Sequence, residues 1–214
     1  MAYDLIIFDL DGTLLDTAPD VHRCVNDTLK KMSLPTIDLQ QTKAAIGPGP
    51  DNFAKLTLGE LAEEKFKEFL ALFRPLYFRE SVTLTRSFPN IEPLLLKLTS
   101  IKKAVASNKS LRFSLHILDA LSMTPFFDLV VGPELVDKPK PAADMIEYIL
   151  DAMHIEKNKA IIVGDTDNDL IAGKAAGIDT CAASWGYGND RIFHELKPNY
   201  IIKDPLELLQ IISH

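Results

Sequence analysis

The sequence predicts an α/β fold, a three-layer core built on a parallel sheet with a small helical unit inserted into it, on three observations. Short apolar runs recur at Leu5–Phe8, Ala104–Ala106, Leu129–Val131, Ile161–Val163, Cys181–Ala183 and Tyr200–Ile202. They are continuous rather than alternating, as in strands buried on both faces. Amphipathic helical patterns lie between most of them, so the order reads β-α-β. The third observation is a stretch of roughly ninety residues between the first two runs, far more than a crossover helix needs.

The first run, only four residues long and flanked by Asp4 and Asp9, fits neither a signal peptide nor a membrane span. Within the long stretch, Val21, Val25, Leu29 and Met32 mark one amphipathic helix, and Ala62, Phe66, Phe69, Phe73 and Leu76 a longer one with a kink expected at Pro75. Between them, Ile46-Gly47-Pro48-Gly49-Pro50-Asp51 reads as a loop, either punctuation or a rigid surface facing the core. Residues 16–81 are therefore assigned to a helical domain, and residues 1–15 with 82–214 to the α/β core. In the core, Met145, Ile146, Ile149, Leu150 and Met153 form another apolar stripe.

Composition narrows the function. The 214 residues carry 30 acidic and 23 basic side chains, for a net charge of −7. Without a Lys/Arg run, that balance opposes nucleic-acid binding. Cys24 and Cys181 are the two cysteines. Neither a disulfide framework nor a zinc cluster is indicated, and a reducing cytoplasm is expected.

Open parallel sheets bind ligands beyond the carboxyl ends of their strands, so the residues following each run matter most. The first run leads into Asp9-Leu10-Asp11-Gly12-Thr13, whose two carboxylates suit a hard cation and a nucleophile while the glycine admits phosphate oxygens to the backbone. Asp-Leu-Asp alone is equally an acidic turn. The second run ends in Ser107-Asn108-Lys109, either a phosphoryl-binding hydroxyl with exposed amides or a helix cap. Lys138-Pro139-Lys140-Pro141 sets a lysine before a helix start, though a lysine by itself is ordinarily a solvated surface group. Gly164-Asp165-Thr166-Asp167-Asn168-Asp169 opens a helix that ends near Gly177, with more carboxylates than capping requires.

In this order the four segments resemble the haloacid dehalogenase superfamily of aspartate-nucleophile phosphotransferases. Asp9 to Leu14 matches its first motif, Ser107-Asn108 its second, Lys138 in Lys-Pro-x-Pro its third, and Gly164-Asp165 with Asp169 its fourth. The insertion after the first motif resembles that family's helical type-one cap, on a Rossmann-like core. Trp185-Gly186-Tyr187-Gly188 resembles the phosphoglycolate phosphatase-like branch.

The resemblance implies a phosphatase acting on a small phosphate ester such as phosphoglycolate. Asp9 would be the nucleophile and Asp11 the acid and base. Mg2+ would be held by Asp9, the Asp11 carbonyl and Asp165, with Asp169 holding a metal-bound water. Ser107 and Lys138 would stabilise charge on the phosphoryl group, with Lys140 as the second candidate, and Gly12, Thr13 and Asn108 would shape the phosphate loop. Lys43, Lys55 and Arg74 are basic residues of the insertion that either touch substrate or face solvent.

Two positions depart from the family pattern. Pro50 stands where related sugar-phosphate mutases carry an arginine, and Pro89-Asn90 replaces a common Pro-Gly. A pyrophosphatase, a 5′-nucleotidase and a mutase remain alternatives. Outside enzymes, a receiver-type phospho-aspartate domain is the rival, although such domains are shorter and lack both the second Asp and the helical insertion. The sequence does not fix the oligomeric state, monomer or dimer.

Overall fold

The computed structural model describes residues 3–213. Six strands form one parallel sheet: β1 (Leu5–Phe8), β4 (Lys102–Ala106), β5 (Leu129–Val131), β6 (Ala160–Gly164), β7 (Asp179–Ala183) and β8 (Tyr200–Ile202). Their spatial order is β5-β4-β1-β6-β7-β8, so β1 lies inside the sheet between β4 and β6. All six apolar runs are strands. Their side chains divide by parity, as the pleat demands: Ile6, Phe8, Val105, Ile161 and Val163 enter one apolar cluster, and Leu5, Ile7, Ala104, Ala106 and Ile162 the other.

Helices cover both faces, giving three layers. Against the second cluster pack α7 (Asp144–Met153) and α8 (Asp167–Ala176). Against the first pack α5 (Ile91–Lys97), α6 (Leu111–Ala120) and α10 (Leu208–Ser213), while α9 (Asp190–Leu196) sends Phe193 into a small third cluster. Each fully buried Ile, Leu, Val or Phe contributes about 1.5–3 kcal/mol of transfer free energy, so the continuous strands hold the sheet together.

The long stretch after β1 holds α1 (Ala18–Lys31), α2 (Leu39–Ala45), α3 (Pro50–Leu58) and α4 (Ala62–Glu80). Two short strands, β2 (Leu15–Asp16) and β3 (Arg86–Ser87), pair antiparallel where the chain leaves and re-enters the core. Asp20, fully buried, fastens this crossing: its Oδ2 accepts from the Leu84 and Thr85 amides at 2.8 Å, and its Oδ1 lies 3.0 Å from Arg23. The two amphipathic stripes read from sequence are α1 and α4, and α4 runs on through Pro75. The acidic capping box of α2, Asp38 with Gln41, was available in the sequence but has too few apolar residues behind it to reveal a helix.

Asn90 explains one departure from the family pattern. It adopts the left-handed conformation at φ +67°, which glycine favours and asparagine tolerates best among other residues, and its amide donates to Asp204 at 2.6 Å.

Candidate active site

Parallel pairing delivers the carboxyl ends of β1, β4 and β6 to one edge of the sheet. The ladder continues one residue past the strands, because Asp9 N donates to Val163 O at 2.9 Å and Ser107 N to Val131 O at 3.0 Å. Asp9, Asp11, Ser107, Asn108, Asp165 and Asp169 thereby converge, each no more than 8% exposed.

Asp9, Asp165 and Asp169 each offer a carboxylate oxygen, and the three oxygens lie within 4.8 Å of one another. Asp165 is held on both oxygens: Thr13 Oγ1 donates to Oδ1 at 2.8 Å and Tyr187 N to Oδ2 at 2.7 Å. Burial, then the neighbouring Asp169 charge, pushes the Asp165 carboxyl up to about 7 against these bonds. Burial also raises Asp9 well above the usual carboxylate range, opposed by Lys140. Asp169, the third residue of α8, uses Oδ2 to accept from Thr166 N and Oγ1, as in a capping box, which leaves Oδ1 facing the site.

The structure places Lys140, not the expected Lys138, among the carboxylates. Lys138 is exposed, with its amide on Asp144 Oδ1 at 3.2 Å. Lys140 is 3% exposed, and its Nζ donates to Asp9 Oδ1 at 2.7 Å, Asp169 Oδ1 at 2.5 Å and Ala106 O at 2.6 Å. Read as extended chain, residues two apart face the same way, so spacing does not choose between the two lysines. Depth chooses: Asn108 Nδ2 holds the Lys140 carbonyl at 2.8 Å against the end of β4. Burial alone would lower the Lys140 pKa, but Asp169 and Asp9 override it and hold the ammonium above its usual range.

Glycines allow the close approach. Gly12 has φ +91°, and a methyl there would lie 2.3 Å from Asp165 Oδ2. The Trp185–Gly188 loop closes over the same carboxylate while Trp185 Nε1 donates to Thr13 O at 3.0 Å. Tyr187 Oη donates to Asp16 and accepts from Ala18 N at 2.9 Å, linking the loop to the root of the insertion. That loop's sequence marked a resemblance, but its contact with Asp165 depends on β6 and β7 being neighbours, which a linear motif does not record.

Above the carboxylates lies a cavity of about 640 Å³ between sheet edge and insertion. Ile46, Phe53, Leu70, Phe73, Tyr77 and Phe113 form much of its wall, with Arg74 and Arg112 also lining it. The Gly47–Gly49 loop faces the core, and Gly47 O accepts from Asn108 Nδ2 at 2.8 Å. Of the other basic residues, Lys43 sits 5.3 Å over the Tyr187 ring, and exposed Lys55 does not line the cavity. Sequence reasoning missed two functional neighbours. Thr17 donates to Asp11 Oδ1, and Lys109 lies 3.1 Å from Asp11 Oδ2. Lys109 stood beside Ser107-Asn108, and this adjacency was the available signal.

The sequence matches the haloacid dehalogenase-like hydrolases over residues 6–183, from the first strand to the end of β7. The chain belongs to that family. This hydrolase is 35% identical to a phosphoglycolate phosphatase of Aquifex aeolicus, over 98% of its own length and 97% of the relative's. It is 32% identical to a phosphoglycolate phosphatase of Nitrosospira multiformis, over 97% and 95%. Among solved structures, a predicted phosphoglycolate phosphatase from Haemophilus somnus superposes with a TM-score of 0.93 at 26% identity, covering 99% of each chain. The six-stranded parallel sheet of this hydrolase is thus the fold of its relatives.

Proposed function

We propose that this hydrolase is a Mg2+-dependent phosphatase that removes the phosphoryl group from a small soluble phosphomonoester, with phosphoglycolate the first candidate. The observation that carries the reading is the buried carboxylate trio around Lys140 at the floor of a cavity. The named activity of relatives that align end to end supports it.

The residues fit magnesium. The donors are all oxygens, and one ammonium does not neutralise three carboxylates, two of which are raised by burial and mutual repulsion. Asp9 and Asp165, with the Asp11 carbonyl, would hold the ion, and Asp169 would act through a water. Bound there, the ion neutralises charge between an anionic substrate and an anionic nucleophile.

In this reading Asp9 attacks phosphorus, and an aspartyl-phosphate divides one hard displacement into two. Lys140 orients the Asp9 carboxylate and faces the charge developing on the phosphoryl oxygens. Ser107, with its hydroxyl at the end of β4, and the Gly12-Thr13 turn cradle those oxygens, and Asn108 braces the loop. Asp11 protonates the leaving oxygen, then takes a proton from the attacking water. The inserted helices act as a lid whose Gly47–Gly49 loop closes over the floor.

The substrate is a metabolite in the cytoplasm. Both cysteines are free and buried, as in a reducing compartment, and the net charge is negative. Turnover of a panel of phosphorylated metabolites is the test. Inorganic phosphate released from a small monophosphate, without a bisphosphate activator, is the expected result. Stoichiometric transfer to a second sugar hydroxyl with little phosphate released would make it a mutase instead.

A further inference from the structure

Lys109 is a basic residue at the site for which the reaction above has no use. Its side chain is 11% exposed. Its Nζ lies 3.1 Å from Asp11 Oδ2, donates to Tyr77 Oη at 3.1 Å, and stands 4.9 Å from the Tyr77 ring centre. Asp11 and Lys109 follow two neighbouring core strands, whereas Tyr77 is on α4 of the insertion. The other Asp11 oxygen, Oδ1, accepts from Thr17, at the root of α1. The carboxylate is therefore gripped on both oxygens by different parts of the molecule.

The two grips are not equivalent. A hydroxyl both donates and accepts, so Thr17 can rotate to face Oδ1 with or without a proton. A lysine ammonium only donates, and it bonds most strongly to an oxygen that carries charge. We propose that Lys109 is the positioning residue for Asp11, fixing the orientation of its carboxyl group from Oδ2, and that Tyr77 holds Lys109 in that place while the inserted helices are seated. Lysine has a flexible stem and a compact charge, and the Tyr77 phenol and ring are the contacts from the insertion that fix its ammonium among the described residues. Tyr77 also stacks with Phe73 at 5.3 Å and meets Phe113 of the core at 5.4 Å, so its own position reports the seating of α4 on α6.

The inference rests on Asp11 being the acid and base, and the experiment separates the two claims. Phenyl phosphate and 4-nitrophenyl phosphate have nearly the same shape, but phenolate is the poorer leaving group and needs its proton more. The kcat/KM of each reports the step in which the leaving oxygen departs. Lys109→Met is expected to lower kcat/KM for phenyl phosphate roughly tenfold more than for 4-nitrophenyl phosphate, within the range that acid catalysis supplies. Asp11→Asn should show the same bias, and Tyr77→Phe a smaller one in the same direction. Tyr77→Phe preserves ring packing, so it carries the test if Lys109→Met does not fold. An equal loss on both esters, in Lys109→Met and Tyr77→Phe, would mean that Lys109 grips the phosphoryl group or only supports the fold, and would overturn the proposal while Asp11 keeps its role. Absence of the bias in Asp11→Asn would remove the acid role and this inference with it.

Discussion

Gly188 lies so close to Asp165 that a methyl group on its α-carbon would sit 1.6 Å from the Asp165 carbonyl oxygen. No rotamer change relieves a clash with main chain, so the loop itself must move, taking with it the Tyr187 amide that donates to Asp165 Oδ2.

Gly188→Ala is therefore expected to cost about 1–3 kcal/mol of stability through overpacking. It should also weaken magnesium binding by about 10–100-fold, the usual effect of losing a residue that orients a ligand. Thermal unfolding with a magnesium titration measures both. Unchanged affinity would show that the loop does not orient Asp165.

Lys140 and Lys138 give a direct contrast. Lys140→Ala leaves Asp9 and Asp169 facing each other without their shared cation and should cost at least about a hundredfold in kcat. It should also destabilise the metal-free protein by about 3–5 kcal/mol, as breaking a buried ion pair does. Lys138→Ala, at an exposed site, should stay within about 0.5 kcal/mol of the parent protein. Activity and denaturant midpoints of the two variants decide the matter, and the reverse order would return the role to Lys138.

Asp9→Asn keeps the side-chain shape and removes the attacking charge. Turnover should fall by more than about three orders of magnitude while circular dichroism and unfolding remain those of a folded protein. Near-normal turnover in a folded variant would sink the covalent route.

The Asp165 carboxyl, at about 7 when folded against the ordinary 3.8, binds its proton more tightly in the native state. The native advantage is full below about 4 and is lost as pH rises through 7, because only the folded state must then carry that buried charge beside Asp169. In chelator, the unfolding temperature should therefore fall between pH 5 and 7.5 and level off above. Excess magnesium binds the charged carboxylates and should stabilise more at pH 8 than at pH 6. Turnover should vanish in chelator and return with magnesium, while calcium, which prefers more ligands at longer distance, restores it poorly. A magnesium shift that grows as pH falls would contradict this assignment.

Strand identity was legible because β1, β4 and β6 are buried on both faces and their apolar runs need no partner to be recognised. That Asp9, Asp11, Ser107, Asp165 and Asp169 come together was legible because parallel strands end on one edge, whereas the roles expected of them came from the family resemblance. What escaped depended on distance through space. Lys140 is selected by the Asn108 side chain, Tyr187 reaches Asp165 from across β7, and Tyr77 meets Lys109 from α4. The helices α2 and α3 escaped for a different reason. They are short, and polar residues make up much of each, so their periodicity is too brief to stand above a loop.

The place of β1 in the sheet also bears on how the protein is made. Leu5 pairs with Lys102 on one side and with Ala160 on the other, so this strand is synthesised well before either of its neighbours. Such non-local pairing gives a high contact order and slow assembly, since loop closure is paid before contact is rewarded. A nascent chain still lacking β6 would hold Asp9 without the carboxylates of Asp165 and Asp169. Catalytic competence thus arrives only once Asp165 and Asp169 have been made, and a chain truncated before Ala160 would be silent rather than partly active.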